Sequence, residues 1–345
     1  MTLTRIAALA QTTASTVSRV LSNDPRISAA TRDRVLATLQ RHPYNPNSFA
    51  RALKGGRTDQ MGVLCSNISS GFFAEVLQGI DHVTREHGTH LLCSFAHDTP
   101  DYLQLAGELQ RNGRTDGVIL VDPPIDLFQE PLLPGGAPAV LCASRPLQPR
   151  SPWAQVDSVT VDNREAMRRL VAGLAAQGCR RLLHLAGPAN TYDSRVRRAA
   201  FAAATRRFRG LQPAIRDGHL IESDGEQTAH RLLELPGDLP DALICFNDST
   251  AQGVIRAFAA AGFPWRGRIA VTGWDDSPLS QHLDLATVTM PTGELGRQAA
   301  QALHRRILSA GPRRSARHVE LKAEIQWRDS ALQRKEAADA RSRTA

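Results

Sequence analysis

Six side chains spread along the chain have the chemistry to hold a hydroxyl-rich small molecule. A guanidinium, an amide and a carboxylate can together bracket neighbouring hydroxyl groups, and flat apolar rings can form the wall of such a pocket. The polar groups are those of Arg197, Asn247 and Asp275, and the rings are those of Phe72, Phe73 and Trp274. Because an arginine also pairs with carboxylates and phosphates, these residues leave both a sugar and a sugar acid open as the ligand.

Side chains near the N-terminus have chemistry suited to DNA. Ser15 and Thr16 carry hydroxyls that can reach phosphates or bases, and Arg19 can form two hydrogen bonds to guanine, worth about 1–3 kcal/mol of discrimination. Ala14 offers only a methyl group, which suits thymine. These residues begin the second of three predicted short helices, where a helix-turn-helix reads the major groove.

The three helices are predicted from the spacing of apolar residues and from the turn residues between them. We predict them at Arg5–Ala10 with Thr4 as the N-cap, at Ala14–Ser22 and at Ala29–Arg41. Their apolar residues are expected to face inward: Ile6, Leu9, Val17, Val20, Leu21, Val35, Leu36 and Leu39.

A fourth short helix is predicted in the segment that follows Pro46. It begins at Asn47, a good N-cap, and ends at Lys54 before Gly55. A helix this short is only marginally stable alone in water, so the segment is expected to need a partner in order to fold.

Positive charge is concentrated in the same N-terminal region. Residues 1–60 contain nine Lys or Arg and three Asp, which gives them +6 of the net charge of +8 of the 345-residue chain. A basic head on a nearly neutral body indicates a polyanionic partner at one end of the protein.

From Met61 onward the pattern changes to short apolar strands that alternate with helices. Strands are predicted at Met61–Cys65, His90–Phe95, Gly117–Val121, Ala139–Cys142, Arg181–Leu185, Ala242–Phe246, Ile269–Gly273 and Thr287–Met290. Helices are predicted at Phe73–His87, Asp101–Asn112, Asn163–Gln177, Asp193–Phe208, Gln227–Leu235, Ser249–Ala261 and Gly293–Leu308. Such repeats form parallel sheets. We predict two lobes with a boundary near Val156–Asp162, and a ligand cleft at the carboxyl ends of the strands.

Other classes of protein find no support in the sequence. No apolar run is long enough for a transmembrane helix, and the first residues do not resemble a secretory signal, so a cytoplasmic protein is expected. The five cysteines form no C-x-x-C pair, and nucleophile elbows, phosphate loops and metal-spaced clusters are absent from the sequence. We therefore expect neither catalysis nor a cofactor.

Several motifs, in order along the chain, resemble the lactose/galactose repressor (LacI/GalR) family of bacterial transcription regulators. They are Thr16-Val17-Ser18-Arg19-Val20-Leu21-Ser22, Ile27-Ser28, Thr31-Arg32-Asp33-Arg34-Val35, Tyr44-Asn45-Pro46-Asn47, Ala50-Arg51-Ala52-Leu53, Gly62-Val63 and Phe72-Phe73-Ala74-Glu75-Val76-Leu77-Gln78-Gly79-Ile80. The similarity extends to about Asp329.

The resemblance implies roles for individual residues in DNA binding. Base contacts are implied for Ala14, Ser15 and Arg19, and phosphate contacts for Thr16 and Ser18. The segment Asn47–Lys54, with Ala50 inside it, corresponds to the family's hinge helix. Leu53 corresponds to a minor-groove wedge, which fits the way that apolar side chains kink DNA.

In the sensor, the resemblance implies effector contacts from strand ends. They fall on Phe72, Phe73, Asp162, Arg197, Asn247, Trp274 and Asp275. One departure from the family lies in the turn Gln11-Thr12-Thr13, where a glycine is common because it relieves a positive φ. Gln11 is therefore expected to carry some strain.

These observations predict an α/β protein with a helix-turn-helix head at residues 1–46 and a hinge and linker at 47–58. A two-lobed, periplasmic-binding-protein-like (type I) sensor follows at 59–330, with a polar tail at 331–345. The predicted function is a DNA-binding transcription regulator, acting as a repressor, that works as a homodimer on a pseudo-palindromic operator. Its effector would be a sugar or sugar acid. The alternatives are a sugar-binding protein without a DNA role and a sugar-metabolising enzyme.

Overall fold

The chain folds into two compact units, Met1–Asp59 and Gln60–Ala345. The computed structural model describes residues 1–21, 24–42, 57–66, 71–111, 113–133, 138–218, 221–234, 237, 239–309 and 315–332. The predicted hinge residues Asn47, Ala50, Leu53 and Lys54 lie outside this described part.

The first unit contains the three predicted helices: α1 at Leu3–Leu9, α2 at Ala14–Leu21 and α3 at Ala29–Arg41. Its core is formed by Ile6, Ala7, Ala10, Val17, Val20 and Val35. The N-cap of α1 is Thr2, whose hydroxyl accepts a hydrogen bond from the Arg5 amide, so the prediction of Thr4 was wrong.

The prediction that every apolar residue of the head faces inward was also wrong. Leu9, Leu21 and Leu36 are 49%, 39% and 44% exposed. Three short helices enclose only a narrow core, and the small Ala7 and Ala10 fill the space in α1 that Leu9 was expected to occupy. Each helix therefore leaves its flanking leucine at the surface.

The second unit contains two six-stranded sheets. The strands, in chain order, are β1 Gln60–Cys65, β2 His90–Phe95, β3 Gly117–Val121, β4 Ala139–Cys142, β5 Asp157–Val161, β6 Arg181–Ala186, β7 Gln212–Asp217, β8 Ala242–Cys245, β9 Ala270–Asp275, β10 Ala286–Thr289, β11 His318–Leu321 and β12 Glu324–Gln326. The first sheet has the order β11-β5-β4-β3-β1-β2 and is parallel throughout. The second has the order β12-β10-β9-β8-β6-β7, in which only β12 is antiparallel.

Helices cover both faces of the sheets, as parallel strands require. They are α4 Gly71–Glu86, α5 Thr99–Arg111, α6 Asn163–Ala176, α7 Tyr192–Thr205, α8 Glu222–Glu234, α9 Asp248–Ala260, α10 Pro278–His282 and α11 Thr292–Leu308. Short 3-10 turns lie at Ile125–Gln129, Pro152–Gln155 and Asp329–Ala331. In the described residues no helix is long and apolar enough to cross a membrane.

The chain passes between the two lobes three times. The segment near Val156–Asp162, predicted as the boundary, is mostly β5, which lies between β11 and β4 in the first sheet, and the first crossing follows it. The chain returns between β10 and α11 and crosses again between β11 and β12. Strands β5, β7, β11 and β12 were not predicted.

Glycines allow one helix pair in each lobe to approach closely. A Cβ added to Gly79 of α4 would overlap the backbone carbonyl of Gly293 in α11. In the second lobe, a Cβ on Gly225 of α8 would overlap the carbonyl of Thr250 in α9. These backbone contacts fix the distances between the helices that flank the strand ends.

Candidate effector site and DNA-binding head

Hydroxyl groups gather at the N-terminus of α2. The Thr13 hydroxyl accepts a hydrogen bond from the Thr16 amide at 3.2 Å and lies 2.9 Å from the hydroxyls of both Ser15 and Thr16. Ser15 is exposed, whereas Ala14 and Thr16 are half-buried. The end of the helix thus presents a polar surface above the packed Val17.

One face of α2 is open to a partner. Ser18 and Arg19 are exposed, and Val17 and Val20 are turned into the core. The structure therefore places all five predicted contact residues of α2, Ala14, Ser15, Thr16, Ser18 and Arg19, at or near the surface of the head.

The turn before α2 has the positive φ expected of it. Gln11 has φ of 49°, a left-handed conformation that disfavours side chains with a Cβ. The turn is closed by the Gln11 amide, which donates to the Ala8 carbonyl at 3.2 Å, and by the Thr12 amide, which donates to the Ala7 carbonyl at 2.9 Å.

Arg197 is the centre of a buried polar cluster in the second lobe. It is 2% exposed. Its Nε donates to the Asn163 side-chain oxygen at 2.8 Å, and one terminal nitrogen donates to the Phe246 carbonyl at 2.8 Å. The other terminal nitrogen lies 3.2 Å from Asp193 and 3.3 Å from the Met290 sulfur.

Two aromatic rings complete the surroundings of this guanidinium. Its carbon lies 4.4 Å from the centre of the Phe246 ring and 4.2 Å from that of the fully buried Trp274. The Trp274 indole N–H donates to the Met290 sulfur at 3.0 Å. Cation–π attraction of this kind is stronger where water is excluded, so the rings hold Arg197 in place.

The position of Arg197 follows from local structure. The Thr191 hydroxyl caps α7, and Asp193 and Arg197 lie one turn apart on it, as neighbours on one helix face. Asn163 is the first residue of α6, directly after the first crossing between lobes, and its amide donates to Asp193 at 2.9 Å. The cluster thus lies beside the connection between the lobes.

Acidic side chains outnumber basic ones around Arg197. Burial raises the pKa of Asp193, and the nearby charge of Arg197 lowers it. Burial also raises the pKa of Asp275 well above its usual range, and the negative charge of Asp248 raises it further. Asp275 has φ of 110°, another backbone conformation that is unfavourable for a residue with a side chain.

Asp122 brings a carboxylate from the other lobe. It follows β3 at the carboxyl end of the first sheet, with φ of 45°. Its Oδ1 is shut off from solvent and has no hydrogen-bond partner in the described structure. Burial raises the pKa of Asp122 well above its usual range, Asp193 raises it further, and Arg197 lowers it. Charges from the two lobes therefore act on one another.

The remaining predicted effector residues have local contacts at helix ends and between neighbouring rings. Asn247 caps α9 and accepts hydrogen bonds at 2.8 Å from both the amide and the hydroxyl of Thr250. Asp162 caps α6 by accepting from the Glu165 amide at 3.0 Å. Phe72 and Phe73 pack edge to face, with ring centres 5.1 Å apart.

Sequence reasoning identified Arg197, Trp274 and Asp275 but missed Asp122, Asp193, Phe246 and Met290 as members of the cluster. The spacing of Asp193 and Arg197 on one helix was a usable signal.

A small pocket of about 60 Å³ lies at the ends of β6 and β7 and includes Phe246, Asp217 and Arg231 in its lining.

Comparison with known families matches both units of the chain. The sequence profile of bacterial regulatory proteins of the lacI family matches residues 2–47. The profile of a periplasmic binding protein-like domain matches residues 171–331.

Curated relatives match over nearly the full length. The transcriptional regulator CelR of Thermobifida fusca is 29% identical over 322 residues, which cover 89% of this chain and 92% of CelR. The regulator PtxS of Pseudomonas putida is 29% identical over 339 residues, covering 96% of both chains. Catabolite control protein A of Priestia megaterium is 27% identical over 315 residues, covering 88% of this chain and 91% of that protein.

Solved structures share the fold. A CelR–cellobiose complex is 27% identical with a TM-score of 0.71, covering 96% of this chain and 99% of that one. The Lac repressor dimer bound to operator has a TM-score of 0.83 at 24% identity and the same coverage. A head of the lacI family of bacterial regulatory proteins is thus joined to a periplasmic-binding-protein-like body, and the relatives that match over nearly the full length include the regulators CelR and PtxS.

Proposed function

We propose that this protein is a sequence-specific DNA-binding transcription repressor controlled by a small hydroxyl-rich effector bound between its two lobes. One observation carries the proposal: a chain that begins with a lacI-type helix-turn-helix also contains a buried polar cluster around Arg197, beside the connection between two lobes. Asp122 belongs to the first lobe and Arg197 to the second, so a ligand that changes the distance between them also changes the relative orientation of the two lobes.

In the head, the exposed face of α2 reads the operator. Arg19 contacts a base, Ser15 and Ala14 lie at the base edges, and Thr16 and Ser18 contact phosphates. The packed face of α2, with Val17 and Val20 in the core, supports this orientation. We also propose that Asn47, Ala50, Leu53 and Lys54 form the DNA-contacting hinge, with Leu53 as the minor-groove wedge.

The functional unit proposed is a homodimer on a pseudo-palindromic operator. The Lac repressor, which shares this fold, is a dimer in its operator complex. In this chain, β2 is an edge strand with half-buried Leu91 and Cys93 and with Phe95 42% exposed. An edge strand with apolar side chains is a natural pairing surface.

In the sensor, Arg197, Asp275 and Trp274 form the base of the effector site, and Phe72, Phe73, Asp162 and Asn247 border it. The CelR relative was solved with cellobiose, which supports a sugar-like effector here. Coupling of about 1–3 kcal/mol between effector and operator is typical of such regulators and needs a different effector affinity in the two states.

The rival functions lack supporting observations. A sugar-binding protein without a DNA role does not account for the lacI-type head. A sugar-metabolising enzyme would need a reactive group, and the full-length relatives are regulators. In the described residues, no group of three or more potential metal ligands comes together.

Footprinting on the DNA upstream of the protein's own gene tests the proposal. We expect protection of a pseudo-palindromic site, and about 1–3 kcal/mol weaker binding, or 5–150-fold, for Arg19→Ala. Arg19→Lys is the matched control for charge: it should bind as poorly as Ala if Arg19 reads guanine, and nearly as well as wild type if it contacts only phosphate. Absence of sequence-specific protection at every salt concentration would refute the repressor function.

Leu53→Ala tests the hinge separately. The variant should bend operator DNA less and bind it more weakly, because an inserted apolar wedge unstacks a base step. Gel mobility of permuted operator fragments measures the bend. An unchanged bend would show that Leu53 is not the wedge, while leaving the role of α2 intact.

A further inference from the structure

Positive charge in the second unit is concentrated in one stretch of the chain. Residues 163–210, which contain α6, β6 and α7, hold eleven arginines and only two acidic residues, Glu165 and Asp193. The other residues after position 60 carry a net negative charge. Asp193 is buried and paired with Arg197, so Glu165 is the single exposed acid of the stretch. A strongly basic region therefore lies on an otherwise acidic body.

Three of these arginines rim a groove between α6 and α7. Arg164 and Arg168 lie one turn apart on α6, Arg207 follows the end of α7, and the groove has a volume of about 350 Å³. Its floor consists of four alanines of α7, of which Ala199 and Ala203 are exposed. The groove is thus open to a partner, lined with methyl groups and edged with positive charge.

The protein uses these arginines only in part. Arg168 donates to Glu165 at 2.7 Å, whereas the side chains of Arg164 and Arg207 make no hydrogen bond or ion pair with any described residue. Arg164 is the second residue of α6, where the partial positive charge of a helix N-terminus makes a cation unfavourable. Helix stability therefore does not explain this arginine, and a partner of negative charge would offset the repulsion.

The combination of charge and methyl groups favours an acidic helix over a nucleic acid. A phosphate backbone is bound mainly through charge and gains little from a floor of alanines. An amphipathic helix uses both features, because its apolar face lies in a groove while its flanking carboxylates pair with arginines at the rim. Small side chains in the floor allow two helices to approach each other closely.

We propose that the groove between α6 and α7 is a docking site for an acidic amphipathic helix of another protein. Carboxylates of this helix pair with Arg164 and Arg207, and its apolar side chains cover Ala199 and Ala203. The partner is distinct from the operator, which we assign to the head, and from the effector, which we assign to the cleft.

Fluorescence anisotropy of labelled peptides with the full-length protein tests this proposal. The probe is a peptide of about 18 residues, long enough to be helical in water, with Ala and Leu on one face and Glu beside them. The same peptide with Lys in place of Glu is its control. We expect the acidic peptide to bind and the basic peptide not to bind. The double variant Arg164→Glu/Arg207→Glu should weaken binding of the acidic peptide about 10-fold or more, because attraction at both positions becomes repulsion.

Two further variants distinguish the groove from general attraction between charges. Arg268→Glu/Arg305→Glu changes the net charge by the same amount at exposed positions outside the groove, so it should leave binding unchanged. Ala203→Gln fills the floor without a change of charge and should weaken binding about 5-fold or more, because the apolar face of the peptide no longer fits.

Failure of the acidic peptide to bind the wild-type protein would overturn the proposal. So would binding that survives Arg164→Glu/Arg207→Glu, falls equally in Arg268→Glu/Arg305→Glu, or is unaffected by Ala203→Gln. Binding of non-operator duplex DNA, or of a second copy of the chain in sedimentation, that depends on Arg164 and Arg207 in place of the peptide would also overturn it. Sequence-specific operator binding is measured separately on the same variants and should persist, so a failure here leaves the proposed function standing.

Discussion

Replacing Arg197 by Met removes the buried charge from the cluster while retaining a long side chain that can still pack against Phe246 and Trp274. The change leaves Asp193, which is 8% exposed, without its cation, and leaves the Asn163 oxygen and the Phe246 carbonyl without a donor. Breaking a buried ion pair by removing one partner costs about 3–5 kcal/mol. At about 2 °C per kcal/mol for a unit of this size, the melting temperature should fall by about 6–10 °C.

Circular dichroism during thermal unfolding at neutral pH measures this loss. Adding Asp193→Asn to Arg197→Met removes the unpaired carboxylate and should recover about half of the lost stability, because the two positions are coupled. Arg198→Met is the matched control on the same helix: its side chain is 45% exposed and pairs with the exposed Asp217, so a change within about 1 kcal/mol is expected. An Arg197→Met protein that melts within 2 °C of wild type, or a double variant that melts no higher than the single one, would refute this account of the cluster.

Three further substitutions test other parts of the structure. Asp122→Asn should raise the melting temperature more at pH 8 than at pH 5. Burial raises the folded-state pKa of Asp122, so the wild-type protein loses stability as the pH rises from the unfolded-state pKa through the folded-state pKa. The Asp122→Asn variant has no carboxyl at this position and does not show this loss. An equal change in melting temperature at both pH values would contradict this. Gly79→Ala should destabilise the second unit by about 1–3 kcal/mol in denaturant titration, because its Cβ would overlap the Gly293 carbonyl. Gly71→Ala is the control: no atom lies within 4 Å of its added Cβ, so it should not destabilise the unit in this way. Gln11→Gly should stabilise the head by about 0.5–1 kcal/mol, because Gln11 has φ of 49° and glycine adopts a positive φ more readily. The melting transition of the head measures this change. A lower melting temperature would show that the Gln11 side chain stabilises the head by more than its backbone conformation destabilises it.

Much of the α/β pattern could be predicted because buried parallel strands are continuous apolar runs. Gly117–Val121 and Ala139–Cys142 have the predicted bounds for this reason. β5 was missed because Asp157, Ser158 and Thr160 are polar although they are buried. The Asp157 carboxylate pairs with Arg306, far along the chain, and accepts from the Arg317 amide at 2.7 Å. Long-range partners of this kind are invisible in a local pattern.

The site was predictable to the extent that its residues lie at strand ends. Trp274 and Asp275 end β9, and Arg197 lies one turn after Asp193 on α7. The contribution of Asp122 depends on the first sheet bringing its strand end toward the second lobe, which no spacing in the sequence reveals. Met290 was missed because a methionine after a strand is usually part of the core.

The affinity of the operator complex with and without an effector tests the central claim most directly. Fluorescence anisotropy on the footprinted operator should show a 5–150-fold change in Kd when a ligand that stabilises the protein is added, which corresponds to about 1–3 kcal/mol of coupling. Asp275→Asn should retain operator binding and lose most of that change. A ligand that binds the cleft but leaves the operator Kd the same would contradict the account of this protein as an effector-controlled repressor.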